Sequence, residues 1–194
     1  MRVTKEKAAE NRERILTAAA RLFRERGLSG VGVDALGEAA GMTHGSLYSQ
    51  FGSKERLAAE ALAEALARSA SKVALEDTEP GSGALTGFIR RYLSTRHRDE
   101  PGQGCALAAL GCEIPRQPPA VRRAFTEGLQ ATVGRIARLL PQGCRQAEED
   151  EALAVMATLV GALVLARAVD DPALSKRILA AAKDRLTEEL PSSV

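Results

Sequence analysis

The chain has 194 residues, enough for one substantial helical core or for a small domain joined to a larger one. Hydrophobic residues make up 45% and charged residues 27%, which excludes an intrinsically disordered chain. The net charge of +2 is too small to indicate nucleic acid by itself, although residues 1–56 carry ten Lys and Arg against seven Asp and Glu.

The composition favours helices along the whole chain. Ala, Leu, Arg and Glu dominate, and no run alternates β-branched with polar residues, so we expect an all-α fold. The polar first residues predict no signal peptide, and Gly161 and Arg167 interrupt the most apolar stretch, which predicts no membrane span. Three cysteines do not make a disulfide framework, so we expect a cytoplasmic protein with reduced thiols.

About nine helices are predicted from apolar residues at helical spacing and from the glycines and prolines between them. Gly27 ends the first helix, Thr43 caps the third, and Ser53 begins a long fourth one. In chain order, the predicted helices span residues 4–26, 33–40, 44–50, 53–76, 84–98, 105–114, 120–140, 147–168 and 172–190.

Residues 33–51 are typical of a helix-turn-helix, because two short helices joined by a glycine turn lie between two long helices. Short helices must pack on their neighbours, and Leu36, Leu47 and Phe51 are the predicted packing residues. The second short helix would expose small hydrogen-bonding side chains and a glycine that permits close approach. Such a surface suits a helix that enters the major groove of DNA.

The run AGMTHGSLYSQFGSKERL at residues 40–57 resembles the TetR family of repressors, and the resemblance extends over roughly residues 8–60. It implies that Thr43, His44 and Ser46 face base edges or nearby phosphates. The complete set of DNA-binding residues that it implies is Val33, Thr43, His44, Gly45, Ser46, Tyr48, Gln50 and Lys54. Val33 would contribute through its backbone N–H.

The chain departs from the family pattern in three features. Val31 and Gly32 stand where Ser or Thr is usual, so a hydroxyl cap or phosphate contact is missing. Ala35 occupies the usual acidic position, while Asp34 lies one residue earlier. His44 replaces a frequent Lys, which lowers the charge at the DNA and could make binding sensitive to pH.

The resemblance also implies a division of the chain into two domains. Residues 1–52 would bind DNA, residues 53–194 would bind an effector and dimerise, and the helix 53–76 would connect the two. The implied partners are double-stranded DNA with a palindromic operator, a second copy of the chain, and a small-molecule effector. The predicted function is a repressor released from its operator by that effector or by a thiol-modifying agent.

Cys105 follows Gly104 in the predicted first turn of a helix, where unpaired N–H groups favour a thiolate. The segment is similar to the Gly-Cys segment of a TetR branch that includes electrophile- and oxidant-sensing repressors. Cys105 is therefore either a sensor thiol or a small buried packing residue. Further candidates for the ligand site are Phe88, Tyr92, Glu113 and Leu129. The apolar candidates are equally good core residues, and Glu113 could equally form an ion pair at the surface.

Two other classes of function remain open. An enzyme would need a site that is invisible in the sequence, because no nucleophile–base arrangement, phosphate loop or metal-ligand spacing is present. We therefore predict no catalytic residue, no metal and no cofactor. The second alternative is a helical protein-interaction module that does not bind DNA.

Overall fold

The structure, a computed structural model, describes residues 5–75, 82–140 and 145–188, with side chains described except at 70–75, 82 and 145. Within these ranges the secondary structure is helical, which confirms the all-α prediction. The α-helices are α1 (Lys5–Arg26), α2 (Val33–Ala40), α3 (His44–Phe51), α4 (Lys54–Leu75), α5 (Ser82–Tyr92), α6 (Thr95–Asp99), α7 (Ala106–Leu110), α8 (Pro119–Ala137), α9 (Arg145–Ala168) and α10 (Pro172–Glu188), with 3-10 turns at Pro101–Gln103 and Ile114–Arg116.

Two predicted helices are shorter or divided in the structure. The predicted helix 84–98 is two helices, because Ser94 adopts an extended conformation and its hydroxyl accepts a hydrogen bond from the His97 N–H at 3.1 Å. The predicted helix 105–114 consists of α7 alone, which begins after Cys105 and ends at Leu110. The 3-10 turn that follows contains Pro115.

The chain divides into two compact units. The first comprises the described residues of Met1–Ala67 and Cys105–Gly128, and the second those of Arg68–Gly104 and Leu129–Val194. The predicted boundary between residues 52 and 53 stays a prediction. Residues 105–128 nevertheless pack with the N-terminal helices, which the sequence did not indicate.

In the first unit, α1 packs against α2 and α7, and α2 packs against α3. The predicted packing residues Leu36, Leu47 and Phe51 are all buried, which confirms the packing predicted for the helix-turn-helix. They share this core with Ile15 and Phe23 of α1, both almost completely excluded from solvent. Burying an apolar side chain of this size stabilises a fold by about 1.5–3 kcal/mol, so α1 provides the surface on which the short helices form.

In the second unit, α10 packs against α9 and α5, and α6 packs against α9. Polar groups reinforce this packing at the end of α9. The Arg167 guanidinium donates to the carbonyl oxygens of His97 and Arg98 at 2.6 and 3.0 Å. Arg98 in turn donates to the Ser175 hydroxyl, which donates to the carbonyl oxygen of Ala166. These bonds join the end of α6 to α9 and α10.

The segment Gln146–Ala168 is long and apolar enough, by length and composition alone, to cross a membrane. Its residues Val155, Leu159 and Leu163 are buried in the second unit. A core helix of a globular protein has the same composition, so this segment is weak evidence for a membrane span.

The second unit contains a half-buried histidine. Nδ1 of His97 lies 2.7 Å from the carbonyl oxygen of Tyr92, and the two rings meet edge to face at 4.6 Å. Because a carbonyl only accepts, Nδ1 carries the proton. Burial, opposed in part by that hydrogen bond, holds the pKa of the His97 imidazole below its ordinary value of 6.5, and the Arg167 charge lowers it further.

We predict that the second unit loses stability as the pH falls from 7 to 5. His97 is neutral in both states above its unfolded pKa, but below that pKa the unfolded chain binds a proton that the folded chain resists. The His97→Gln variant should therefore show a flatter dependence of unfolding free energy on pH in urea titrations. His44→Gln alters the other histidine and is the control. In this variant the contribution of His97 to the pH dependence of the unfolding free energy should remain. An unchanged slope in His97→Gln would contradict this assignment.

A candidate DNA interface on the helix-turn-helix

The turn between α2 and α3 is tight because a glycine permits it. Gly41 has a φ of +64°, a conformation that favours glycine, and it ends α2. The Met42 N–H then donates to the carbonyl oxygen of Gly37 at 2.8 Å. Thr43 begins α3 as its N-cap, with its hydroxyl oxygen 3.3 Å from the Ser46 N–H. The predicted turn and cap are thus both confirmed.

One side of α3 is buried and the other is open to solvent. Leu47 and Phe51 face the core, whereas Tyr48 is 44% exposed. Nothing lies within 4 Å of the position that a Cβ would take at Gly45, so the backbone is open to close approach there. The predicted DNA-binding residues that are exposed or half-exposed around α3 are Thr43, His44, Gly45, Ser46, Tyr48 and Gln50.

His44 has a partner that sequence reasoning missed. Nδ1 of His44 lies 2.8 Å from Oδ1 of Asp34, on the neighbouring helix α2. The His44 ring also stacks on the Tyr48 ring, with centroids 5.0 Å apart. Since a carboxylate only accepts, this geometry leaves Nδ1 protonated and turns Nε2 away from Asp34. The two residues are ten apart in sequence, and no spacing rule pairs them across a turn.

Three of the predicted DNA-binding residues line one surface depression. Val33, Tyr48 and Lys54 line it, together with Leu47, Ser53 and Leu57. Ser53 caps α4, since its hydroxyl accepts from the Arg56 N–H at 3.1 Å. Gly32, by contrast, gives α2 no side-chain cap, so N–H groups at the start of α2 have no capping side chain. The surface that lines the depression is apolar, so the Lys54 ammonium, the Tyr48 hydroxyl and the α2 N-terminus do not converge inside it, and their use as one candidate phosphate site stays a prediction.

Arg12 of α1 fixes the end of α3, and sequence reasoning did not identify it. Its guanidinium donates to the carbonyl oxygen of Gln50 at 3.0 Å and lies 4.3 Å from the centre of the Phe51 ring. It also pairs with the carboxylate of Glu60 on α4. Gln50 is half-buried, and its backbone rather than its side chain makes this contact. One arginine thereby ties α1, α3 and α4 together.

The candidate ligand residues fall in both compact units. Phe88 and Tyr92 are buried in the second unit with their rings 5.7 Å apart, and Leu129 is half-buried there. Cys105 belongs to the first unit, where it is the N-cap of α7 and only 9% exposed. Glu113, also in the first unit, hydrogen-bonds with backbone N–H groups after α1. The assignment of these five residues to a ligand site stays a prediction.

Comparisons with known proteins agree with this geometry. Residues 15–61 match the model of bacterial regulatory proteins of the tetR family, and residues 81–182 match that of the tetracyclin repressor-like C-terminal domain. The chain is 30% identical over 156 residues to the HTH-type transcriptional regulator LmrA of Bacillus subtilis, covering 78% of this chain and 82% of LmrA. It is 41% identical over 59 residues to AcrR of Shigella flexneri, covering 30% of this chain and 27% of AcrR.

Solved structures show the same fold. Reduced NemR of Escherichia coli superimposes with a TM-score of 0.80 at 20% identity, over 95% of this chain and 99% of that one. A TetR regulator of Chloroflexus aurantiacus gives 0.76 at 23% identity, over 97% of this chain and 100% of that one.

Fold, exposed helix and relatives together define a helix-turn-helix, DNA-binding transcriptional regulator. The chain belongs to the TetR family.

We predict that Arg12→Ala destabilises the first unit by about 1–2 kcal/mol, because it removes a charge-assisted hydrogen bond and a cation–π contact at partly exposed positions. Arg21→Ala is the matched control on the same helix, since the partner of Arg21 among the described residues is the exposed Glu25 one turn away. It should cost less than about 0.5 kcal/mol. Urea denaturation would compare the two variants, and equal losses would contradict the role of Arg12.

Proposed function

We propose that this protein is a homodimeric repressor that binds a palindromic operator in double-stranded DNA and leaves it when a small-molecule effector binds. The observation that supports DNA reading most directly is the exposed side of α3 beside the depression formed by Val33, Tyr48 and Lys54. Thr43, His44 and Ser46 would contact base edges or nearby phosphates from the major groove.

The charge around α3 indicates how it would bind. Between His44 and Phe51 there is no Lys or Arg, so base contacts there would be hydrogen bonds from small side chains and from the His44 ring. Attraction to the DNA backbone would then come from Lys54 and from the uncapped N-terminus of α2. Tyr48 and Gln50 would add phosphate hydrogen bonds, and Gly45 would allow the helix backbone to approach the groove.

A second copy of the chain would cover an apolar stripe on α9. Residues at intervals of three and four along this helix leave small or apolar side chains at the surface, with Leu165 57% exposed. Gly161 has no atom near the position of a Cβ, which permits another helix to approach closely. The exposed or half-exposed members of this stripe are Ala154, Ala157, Thr158, Gly161, Leu165 and Ala168. Two copies would present two α3 helices to two half-sites.

For the release step, burial favours a non-covalent effector over a thiol-modifying agent. Cys105 is buried, whereas Cys112 is exposed. A buried thiol without access to solvent is inert, so packing is the role that the position of Cys105 supports better. The relatives that the chain matches are regulators, and we assign the protein no catalytic activity and a cytoplasmic location.

Selection of double-stranded DNA from a random library tests this function. We predict two-fold symmetric selected sites and an affinity that falls steeply with salt. Lys54→Gln should weaken binding to all sequences alike and lower the slope of log affinity against log salt by about 2, one phosphate contact in each subunit. Lys176→Gln, an equal change of charge on α10, should leave the slope unchanged. No selected sequence at low salt would favour an interaction module instead.

We further predict that maleimide modifies Cys112 well before Cys105 in native buffer, because Cys112 is exposed and Cys105 is buried. The measurement is mass spectrometry of a Cys144→Ser variant over time, with complete labelling in urea as the reference. Operator binding should survive labelling of Cys112. Rapid native labelling of Cys105 that releases DNA, and that Cys105→Ser abolishes, would instead establish a sensor thiol.

A further inference from the structure

Glu113 occupies the connection between α7 and α8, where its backbone is fixed on both sides. Its N–H donates to the carbonyl oxygen of Leu110 at 2.9 Å, and its own carbonyl oxygen accepts from the Arg116 N–H at 3.0 Å. The next residue, Ile114, is buried. The turn thus holds the main chain of Glu113 while its side chain extends toward the N-terminal helices.

The Glu113 carboxylate accepts from two consecutive backbone N–H groups in the loop between α1 and α2. Oε2 lies 3.0 Å from the Leu28 nitrogen and 3.3 Å from the Ser29 nitrogen. Leu28 is only 3% exposed, and a buried N–H that loses its acceptor costs free energy. A carboxylate is a strong acceptor for such groups. These contacts join residues 84 and 85 positions apart in the chain.

Gly27 provides the space that this contact needs. A Cβ built at Gly27 would overlap Oε1 of Glu113, and its φ of +78° disfavours any residue with a side chain. Gly27 also closes α1, with its N–H donating to the carbonyl oxygen of Phe23 at 2.8 Å. A side chain at residue 27 would therefore require the Glu113 carboxylate to move from its position beside the end of α1.

The loop that Glu113 holds leads directly to the candidate phosphate site. After Leu28 and Ser29 the chain passes through Val31, which is buried, to Gly32, the N-cap of α2. The first residue of α2 is Val33, which lines the depression with Tyr48 and Lys54. The start of α2 at Val33 thus lies only four residues after Ser29.

We infer that Glu113 is a positioning residue for DNA binding: its carboxylate holds the loop after α1 so that the N-terminus of α2 meets a DNA phosphate. This inference rests on the proposed function. It also changes the predicted role of Glu113, since the carboxylate would orient backbone of the DNA-reading unit rather than an effector. Residues 105–116, which carry Cys105 and α7, thereby become part of the structure that reads DNA.

The test compares Glu113→Ala and Glu113→Gln with Glu127→Ala, which removes an exposed glutamate from α8. On an operator selected by the wild type, fluorescence anisotropy well below the melting temperature should show about tenfold weaker binding for Glu113→Ala. Glu113→Gln keeps an oxygen that can accept and should recover most of this loss. Glu127→Ala should bind as the wild type does.

Hydrogen exchange of the free protein separates positioning from general stability. In Glu113→Ala the amides of Leu28 and Ser29 should exchange faster, while the amides of Ile15 and Leu36 keep their protection. Equal acceleration at all four positions would show a merely structural role and overturn the inference. If Glu113→Ala binds the operator as tightly as the wild type, the inference is also overturned. If the wild type selects no sequence at all, the proposed function is overturned instead.

A double-mutant cycle tests the direct contact. Gly27→Ala should weaken operator binding both through its backbone conformation and through overlap with Glu113. In the Glu113→Ala background the overlap is absent, so the same substitution should have a smaller effect. Equal effects in the two backgrounds would contradict the contact between residues 27 and 113.

Discussion

Helices of eight residues are too short to be stable in water alone, and this constraint governs the part of the molecule that reads DNA. Both α2 and α3 have eight residues. They persist because Leu36, Leu47 and Phe51 are buried in the core of the first unit and because polar groups satisfy the ends of α3. Thr43 caps the start of α3, and Arg12 binds a carbonyl oxygen at its end. The geometry of the exposed side is thus set by neighbouring helices.

Because α2 and α3 depend on their neighbours, the residues that would contact DNA differ from the residues that keep these helices in position. Tyr48 and Leu47 are adjacent in sequence, yet one is exposed and the other buried. Asp34 adds a negative charge beside the reading helix, where it would repel phosphates if it stood alone. Its contact with Nδ1 of His44 instead orients the imidazole ring. If His44 contacts DNA as proposed, Asp34 would act as the group that orients its ring.

The sequence predicted most of the helices and the buried face of the helix-turn-helix, because both depend on local periodicity and on caps within four residues. The prediction of one helix over residues 84–98 was wrong, because the Ser94 hydroxyl caps a new helix there. The spacing of apolar residues does not reveal this break. Sequence reasoning also missed Arg12 and Asp34, whose partners lie 38 and ten residues away. Charged residues on helix surfaces are common, and only the fold shows which have a partner.

The contact of Glu113 with Leu28 and Ser29 bears on how such a regulator couples two functions. The family models divide the chain at about residues 61 and 81, which assigns residues 105–128 to the C-terminal domain. In the structure the same residues pack with the N-terminal helices. Coupling requires a contact that differs in free energy between two states of the protein. An effector that displaced the turn after α7 would change two backbone hydrogen bonds at the entrance to α2 directly. Release by the proposed effector would then require no rearrangement of the helix-turn-helix core, because the loop before α2 contacts the segment that such an effector would displace.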